Sequence, residues 1–239
     1  FFYAAGITIL EGYGLTETSP VIAVNLEESP TFGTVGPLIP GVEVRIADDG
    51  EILSKGPHIM QGYYNRPEAT AEVITEDGWF HTGDIGHIDE KGLLHITDRK
   101  KDLIKTAGGK FIAPQKLEGR FITDPWVEQA FVYGDRRPYC IAVIVPKRNS
   151  IEAYAKEQGI SATDYAALLQ EHSILKVMWG RIRAKQEDLP QFEQIKKIVL
   201  VSEEFSQERG ELTPTMKCKR KVIVDHYEDQ INQVYQSGQ

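Results

Sequence analysis

Asp98-Arg99-Lys100-Lys101-Asp102-Leu103-Ile104-Lys105-Thr106-Ala107-Gly108-Gly109-Lys110-Phe111-Ile112-Ala113-Pro114 is the stretch in which the chain changes character. A charged run gives way to a short apolar run, a glycine pair, a second short run and a proline. Gly-Gly between strand-like residues predicts a tight hairpin. Pro114 predicts the first turn of a helix running to about Ile122, because its fixed φ suits that position and its missing N–H would have no helical partner there. The charged run is read as the seam between two domains, residues 1–98 and 99–239.

Before the seam, residues 31–97 are dense in Gly and Pro. Short alternating runs at 42–46, 51–54 and 92–97 predict a small antiparallel β unit. Glu90-Lys91-Gly92 predicts the turn between residues 85–88 and 93–96. The β-branched run at 6–10 predicts a strand entering the glycine turn Glu11-Gly12-Tyr13-Gly14. After the seam, residues 127–133 and 139–145 predict strands flanking a turn at 135–138. Residues 149–187 predict helices broken at Gly159 and near Gly180, and residues 196–201 a further strand. Ile223, Tyr227, Ile231 and Val234 recur at spacings of four, four and three, which predicts one closing helix with a single apolar face. The expected fold class is α+β.

At 239 residues the chain has room for one to two domains of roughly 150 residues each. With 41% hydrophobic and 26% charged residues it is an ordinary globular composition, which excludes disordered and collagen-like chains. The net charge of -8 argues against a chain coating nucleic acid or anionic lipid, while leaving a local basic site open. Cys140 and Cys218 make neither a metal-ligand spacing nor a disulfide framework, which suits a reducing compartment. Cys140 reads as a buried small apolar residue. Cys218 adjoins Lys217 and Lys219, so its thiol pKa is expected to be lowered, without a nucleophilic role. The longest apolar run, 139–145, is far short of the roughly 20 residues that span a membrane. The sequence opens Phe1-Phe2-Tyr3, with no initiator methionine and no signal peptide, and reads as a piece of something longer.

Four stretches carry chemistry. Gly12-Tyr13-Gly14-Leu15-Thr16-Glu17-Thr18 follows a predicted strand, where open α/β sheets bind ligands. Its glycines permit close backbone approach, Thr16 can donate to a phosphate oxygen, and Glu17 can hold a hard cation such as magnesium. Taken alone it reads better as a tight turn with solvated side chains. Trp79-Phe80-His81-Thr82-Gly83-Asp84 opens a predicted hairpin, where a rigid carboxylate can accept both hydroxyls of a ribose. An Asp that merely caps the turn is the simpler reading of that stretch by itself. Arg99, Lys100, Lys101, Lys105 and Lys110 are basic, and Lys100 and Lys105 read as a solvated face. Arg99 ends the hairpin that Asp84 begins, so the two can converge on one ligand. In the fourth stretch, Leu212 to Lys221, Lys217, Lys219, Arg220 and Lys221 precede the final helix, without the interleaved aromatics of a nucleic-acid surface.

In this order and spacing the four stretches resemble the adenylate-forming acyl-CoA synthetases, most nearly the AMP-forming long-chain fatty acid–CoA ligases, and the resemblance covers essentially the whole chain. It implies activation of a fatty acid by ATP and Mg2+ to acyl-AMP and pyrophosphate, then transfer of the acyl group to CoA. By resemblance, Tyr13 and Gly14 line the adenine and phosphate pocket, Thr16 contacts the α-phosphate, and Glu17 is the magnesium ligand. Asp84 grips the ribose hydroxyls with Arg99 assisting. Lys217 is the catalytic lysine of adenylation, although Met216 stands where the family usually has Gly, which leaves Lys219 as a competitor. Lys101 is the hinge about which the small domain rotates, and Gly108-Gly109 then borders the pantetheine tunnel. The family's Ser/Thr/Gly-rich phosphate loop lies upstream of these motifs, so the expectation is the tail of a large domain plus a whole C-terminal lid, inactive alone. The helical stretch at 149–193 exceeds the lid of smaller members and favours a long-chain ligase. Its Tyr165, Leu168, Leu169, Met178 and Trp179 read as core rather than lipid contacts. Partners are fatty acid, CoA and the rest of the large domain, with no nucleic acid. The expected location is the cytoplasm, with peripheral membrane contact left open. Two other readings stand beside this one: a fatty acyl-AMP ligase delivering to a carrier protein, and a non-catalytic nucleotide-binding module.

Overall fold

A computed structural model describes residues 2–236. The chain divides between Asp102 and Leu103 into two compact units. The first contains a two-stranded pair, β1 (Gly12–Tyr13) with β2 (Ala23–Val24), and a four-stranded antiparallel meander. The meander runs β3 (Glu43–Ile46), β4 (Glu51–Lys55), β5 (Phe80–Ile88), β6 (Leu94–Arg99) in sequence order, with helix α1 (Pro67–Val73) between β4 and β5. Ile22, Ala23, Ile52 and Leu94 form its fully buried centre. The isoleucines and the leucine each contribute about 1.5–3 kcal/mol by leaving water, and the alanine less.

Two expectations fail in this unit. Residues 6–10 form no strand, and Ile7, Ile9 and Leu10 are exposed. A β-branched run has strand propensity but makes no ladder without a neighbouring strand, and no strand pairs with it among the described residues. The alternation at 51–54 fails differently, because Glu51, Ile52, Leu53 and Ser54 are all buried. β4 lies inside the sheet, and its polar side chains are satisfied by partners rather than by water.

The second unit opens with the expected hairpin, β7 (Ile104–Lys105) and β8 (Phe111–Ile112), followed by α2 (Pro114–Phe121). Its centre is a three-stranded sheet in the order β11 (Lys197–Leu200), β10 (Ile141–Pro146), β9 (Val127–Tyr133). β10 is parallel to β11 and antiparallel to β9. Helices cover both faces, so every residue of β10 is buried, which is why 139–145 reads as one apolar run. Leu117 and Phe121 of α2 pack on one face, with α3 (Arg148–Gln158), α4 (Tyr165–Leu169) and α5 (His172–Ala184). The other face receives α6 (Arg220–His226) and α7 (Glu228–Gln236) through Ile223, Tyr227 and Ile231. Leu168, Leu169 and Met178 are core, and Tyr165 and Trp179 pack against them. Cys140 is fully buried, which pushes its thiol up to about 12.

Helix boundaries follow cap chemistry more closely than composition. α3 ends at Gly159, which takes the left-handed φ of +66° as expected. Gly180 breaks nothing and lies inside α5; the interruption falls at Gln170-Glu171. An isolated glycine lowers helix propensity by only about 1 kcal/mol, less than the packing of Ile174, Met178 and Ile182 returns. The closing helix is two helices, because Tyr227 departs from helical geometry with φ −112° and ψ +20°. Tyr227 N still donates to Ile223 O (3.1 Å), and Ile231 N to Tyr227 O (2.9 Å), which keeps the apolar face continuous. No helix among the described residues is long and apolar enough to cross a membrane.

Candidate active site

The first unit places Asp84 through an irregularity in β5. Leu53 pairs with His81 but Glu51 with Ile85, so four steps of β5 oppose two of β4. The surplus residues bulge, and Gly83 takes φ +70°. A bulge twists a strand and re-aims a side chain at the expense of ladder hydrogen bonds. Side chains make up the deficit. Glu51 Oε1 accepts from Gly83 N (3.0 Å), Thr82 Oγ1 accepts from Asp84 N (3.1 Å), and the Thr82 hydroxyl donates to Ile52 O (2.7 Å).

So presented, Asp84 pairs across the β5–β6 hairpin with Arg99, whose Nε donates to its Oδ1 at 2.8 Å. The Tyr13 hydroxyl donates to Oδ2 at 2.6 Å, from a residue 71 positions away. Burial, reinforced by the Asp84 carboxylate, pushes the Tyr13 hydroxyl far above its usual pKa and keeps it a donor. Asp84 is nearly fully buried, whereas half of the Arg99 side chain is exposed. Each Asp84 oxygen accepts one hydrogen bond, Oδ1 from Arg99 and Oδ2 from Tyr13, and keeps a second lone pair that can accept from a ligand hydroxyl.

Beside this pair is a cavity of about 400 Å³ lined by Leu15, Glu17, Glu51, Tyr63, His81, Gly83, Arg99 and Lys100, among others. Asp84 is not among the lining residues, although its neighbour Gly83 and its partner Arg99 are. Thr16 and Glu17 occupy a single 3-10 turn, Thr16–Thr18. Thr16 is exposed; the structural hydroxyl is that of Thr18, which accepts from Leu15 N (2.8 Å) and lies 3.0 Å from Leu15 O and Pro20 O. Glu17 Oε1 accepts from the Tyr63 hydroxyl (2.9 Å), which raises the Tyr63 pKa. Gly14 is needed for the chain itself, since a Cβ there would sit 1.6 Å from Pro20 O. No cluster of three metal-ligating side chains exists among the described residues. A single Glu17 nevertheless suits Mg2+, which usually takes one or two carboxylates and fills its shell with phosphate oxygens and water.

Sequence reading missed Glu51 and Tyr63. The signal lay in Asp49-Gly50-Glu51-Ile52, a turn delivering an acidic residue into an interior strand. Lys100 is exposed, as expected of a solvated face, yet it is also paired. Its ammonium donates to Asp49 Oδ2 and Glu51 Oε2, each at 2.7 Å. Lys101 follows in a 3-10 turn, exposed.

In the second unit, Gly109 takes φ +74° at the tip of the β7–β8 hairpin, and Gly109 N donates to Thr106 O (2.9 Å). Neither Gly108 nor Gly109 is crowded: a Cβ on Gly108 would meet only Thr106 Oγ1 at 3.9 Å. Lys105 and Lys110 lie over the rings of Phe111 and Phe192, at 5.4 and 5.5 Å. Lys217 is on a loop closed by a bridge between Leu212 and Cys218. Thr213 N donates to Lys217 O (2.9 Å) and Lys217 N to Thr213 Oγ1 (3.0 Å), so the backbone is tied while the side chain is exposed. Cys218 contradicts its expected activation. Burial pushes its thiol up to about 11, with Glu118 adding to the effect, and the flanking lysines are exposed.

Met216 has φ +62°, the left-handed region that favours glycine. Met216→Gly is therefore expected to stabilise the second unit by about 0.5–1 kcal/mol, after the added chain entropy of glycine is counted. The exposed thioether loses only a 3.4 Å contact from Gln207 Nε2. Thermal unfolding checks it, and a lower midpoint for the variant contradicts the strain argument.

The first unit thus holds a buried acid bonded to a tyrosine and an arginine. The second, taken by itself, holds an exposed lysine on a tied loop. Residues 101–239 match the model of the AMP-binding enzyme C-terminal domain, and residues 1–64 match that of the AMP-binding enzyme. The chain belongs to this family. It is similar to the long-chain-fatty-acid–CoA ligase FadD15 of Mycobacterium bovis, with 40% identity over 98% of this chain and 39% of that protein. It is also similar to human long-chain-fatty-acid–CoA ligase 1, with 35% identity over 97% of this chain and 35% of that one. The chain thus spans 39% or less of the length of these two curated relatives. Among solved structures it resembles the A domain of carboxylic acid reductase from Segniliparus rugosus in complex with AMP and a carboxylic acid. The TM-score there is 0.73 at 25% identity, over 99% of this chain and 36% of that one. ATP-bound MatB from Rhodopseudomonas palustris gives a TM-score of 0.66 at 28% identity, over 94% and 41% of the two chains.

Proposed function

We propose that this chain is the part of an AMP-forming long-chain fatty acid–CoA ligase that supplies the ribose clasp and the lysine-bearing lid. The fatty acid carboxylate attacks the α-phosphorus of ATP, releasing pyrophosphate; the CoA thiol then attacks the acyl-AMP carbonyl, releasing AMP. The observation that carries this reading is the meeting of Asp84, Arg99 and Tyr13, three motif residues distant in sequence, around one buried carboxylate. Similarity to ligases named for long-chain fatty acids supports the substrate.

In this reading Tyr13 and Gly14 border the adenine and phosphates, and Thr16 donates to the α-phosphate. Glu17 holds Mg2+, which neutralises phosphate charge when bound. Residues 1–98 end the large domain, whose remainder is the chain's first partner. Residues 99–239 are the lid, turning at Lys101, and Gly108-Gly109 leaves room for the pantetheine arm of CoA. In this reading the enzyme works in the cytoplasm.

The test uses the intact enzyme. Labelled pyrophosphate should exchange into ATP only when a long-chain fatty acid is present, and added CoA should yield acyl-CoA and AMP. Exchange followed by acylation of a carrier protein instead of CoA would select the acyl-AMP ligase reading. Absence of exchange with any carboxylic acid would remove both.

A further inference from the structure

Glu51 is a buried carboxylate outside the motifs that accepts from three donors. It is 3% exposed and lies at the first position of an interior strand. Its Oε1 accepts from Gly83 N at 3.0 Å. Its Oε2 accepts from Lys100 Nζ at 2.7 Å and from His81 Nδ1 at 2.9 Å. Lys100 is held on its other side by Asp49 Oδ2 at 2.7 Å. Burial alone would raise the Glu51 pKa, yet the donors Lys100, His81 and Gly83 outweigh it and hold the group below the ordinary range. The carboxylate is therefore charged and accepting at neutral pH.

The placement of these donors matters more than their number. Gly83 N belongs to the β5 bulge, where no strand supplies an acceptor, and Gly83 immediately precedes Asp84. His81 stands at the other end of the bulge, at the last regular pairing with β4. Lys100 follows Arg99, the residue that pairs with Asp84. One carboxylate thus holds β5 just before Asp84 and the chain just after Arg99, at the same end of the Asp84–Arg99 pair. Packing alone does not need a charge here, since an apolar side chain could fill the space without being desolvated.

We propose that Glu51 is a positioning residue for nucleotide recognition: by accepting from Gly83 N, His81 and Lys100 it fixes the bulge that aims Asp84 at the ribose. This rests on the reading that Asp84 takes the ribose hydroxyls. Without Glu51 the bulge relaxes, the Asp84 carboxylate rotates away, and the ribose contact is lost while contacts to base and phosphates persist.

The experiment compares ATP with 2′-deoxy-ATP in fatty-acid-dependent adenylation by the intact enzyme, for wild type, Glu51→Gln and Glu51→Ala. Wild type should favour ATP. In Glu51→Ala the ratio of kcat/KM for the two nucleotides should fall about tenfold, through KM for ATP, the size of effect that one charge-assisted hydrogen bond carries. Glu51→Gln, whose amide oxygen can still accept from Gly83, should lose about threefold and serves as the readout if the alanine variant does not fold. Equal loss with both nucleotides, leaving the ratio at the wild-type value, would show a merely structural role and overturn the proposal. A wild type indifferent to the 2′-hydroxyl would overturn the ribose reading itself, and this proposal with it.

Discussion

Replacing Lys217 by alanine in the intact enzyme should slow acyl-adenylate formation by about 10²–10³-fold and spare thioester formation from supplied acyl-adenylate. In the proposed reaction negative charge accumulates on the carboxylate and phosphate oxygens only in the first half. An ammonium aimed at that charge stabilises the transition state of that half alone. Removing one such donor costs about 2.7–4 kcal/mol, or roughly 10²–10³ in rate. The fold should survive, because the loop is closed by the Leu212–Cys218 bridge and by Thr213, while the Lys217 side chain is exposed. Lys219→Ala is the control. Its backbone N–H donates to Glu211 O at 2.7 Å whatever the side chain, so adenylation should change less than about threefold, as for most exposed sites. Rates are read separately, by pyrophosphate exchange and by acyl-CoA release from synthetic acyl-AMP. If Lys219→Ala is the variant that fails to adenylate, the role belongs to Lys219.

Asp84→Ala should raise KM for ATP by about 10²-fold, with a smaller rise for 2′-deoxy-ATP. Two hydrogen bonds from neutral hydroxyls to a carboxylate vanish, each worth about 1.5–3 kcal/mol, partly offset by water that replaces them. The substitution also leaves the Tyr13 hydroxyl without its buried acceptor and Arg99 without its anion, so stability should fall by about 1–3 kcal/mol. Asp84→Asn separates the two effects. Its amide oxygen can still accept from Tyr13, so it should recover part of the stability while remaining defective for ATP. An unchanged KM for ATP in Asp84→Asn would remove Asp84 from the nucleotide site.

The legible part of the site was the part that strand geometry enforces. Asp84 and Arg99 lie at opposite ends of one hairpin, and antiparallel pairing brings such residues together whatever the rest of the chain does. The glycine hairpin at Gly108-Gly109 and the Gly159 helix end are equally local, each set by a left-handed backbone that glycine adopts freely. Glu51 was not legible. In isolation its run alternates like a half-exposed strand, and only β3 and β5 on either side, with Lys100 and His81 to receive its charge, make burial tolerable. Cys218 shows the same limit, since adjacent lysines suggest an activated thiol while burial decides the opposite.

The amino-acid order alone determined the periodicities, the turn-forming glycines and prolines, the seam near residue 100 and the four motifs, because each depends on residues within a few positions of one another. Tertiary structure alone decided that residues 6–10 form no strand, that Gly180 stays helical, that the last helix breaks at Tyr227, and that Tyr13 closes on Asp84 from 71 residues away. Those outcomes turn on ladder partners, burial and charge compensation supplied from distant parts of the chain, which local propensity cannot encode.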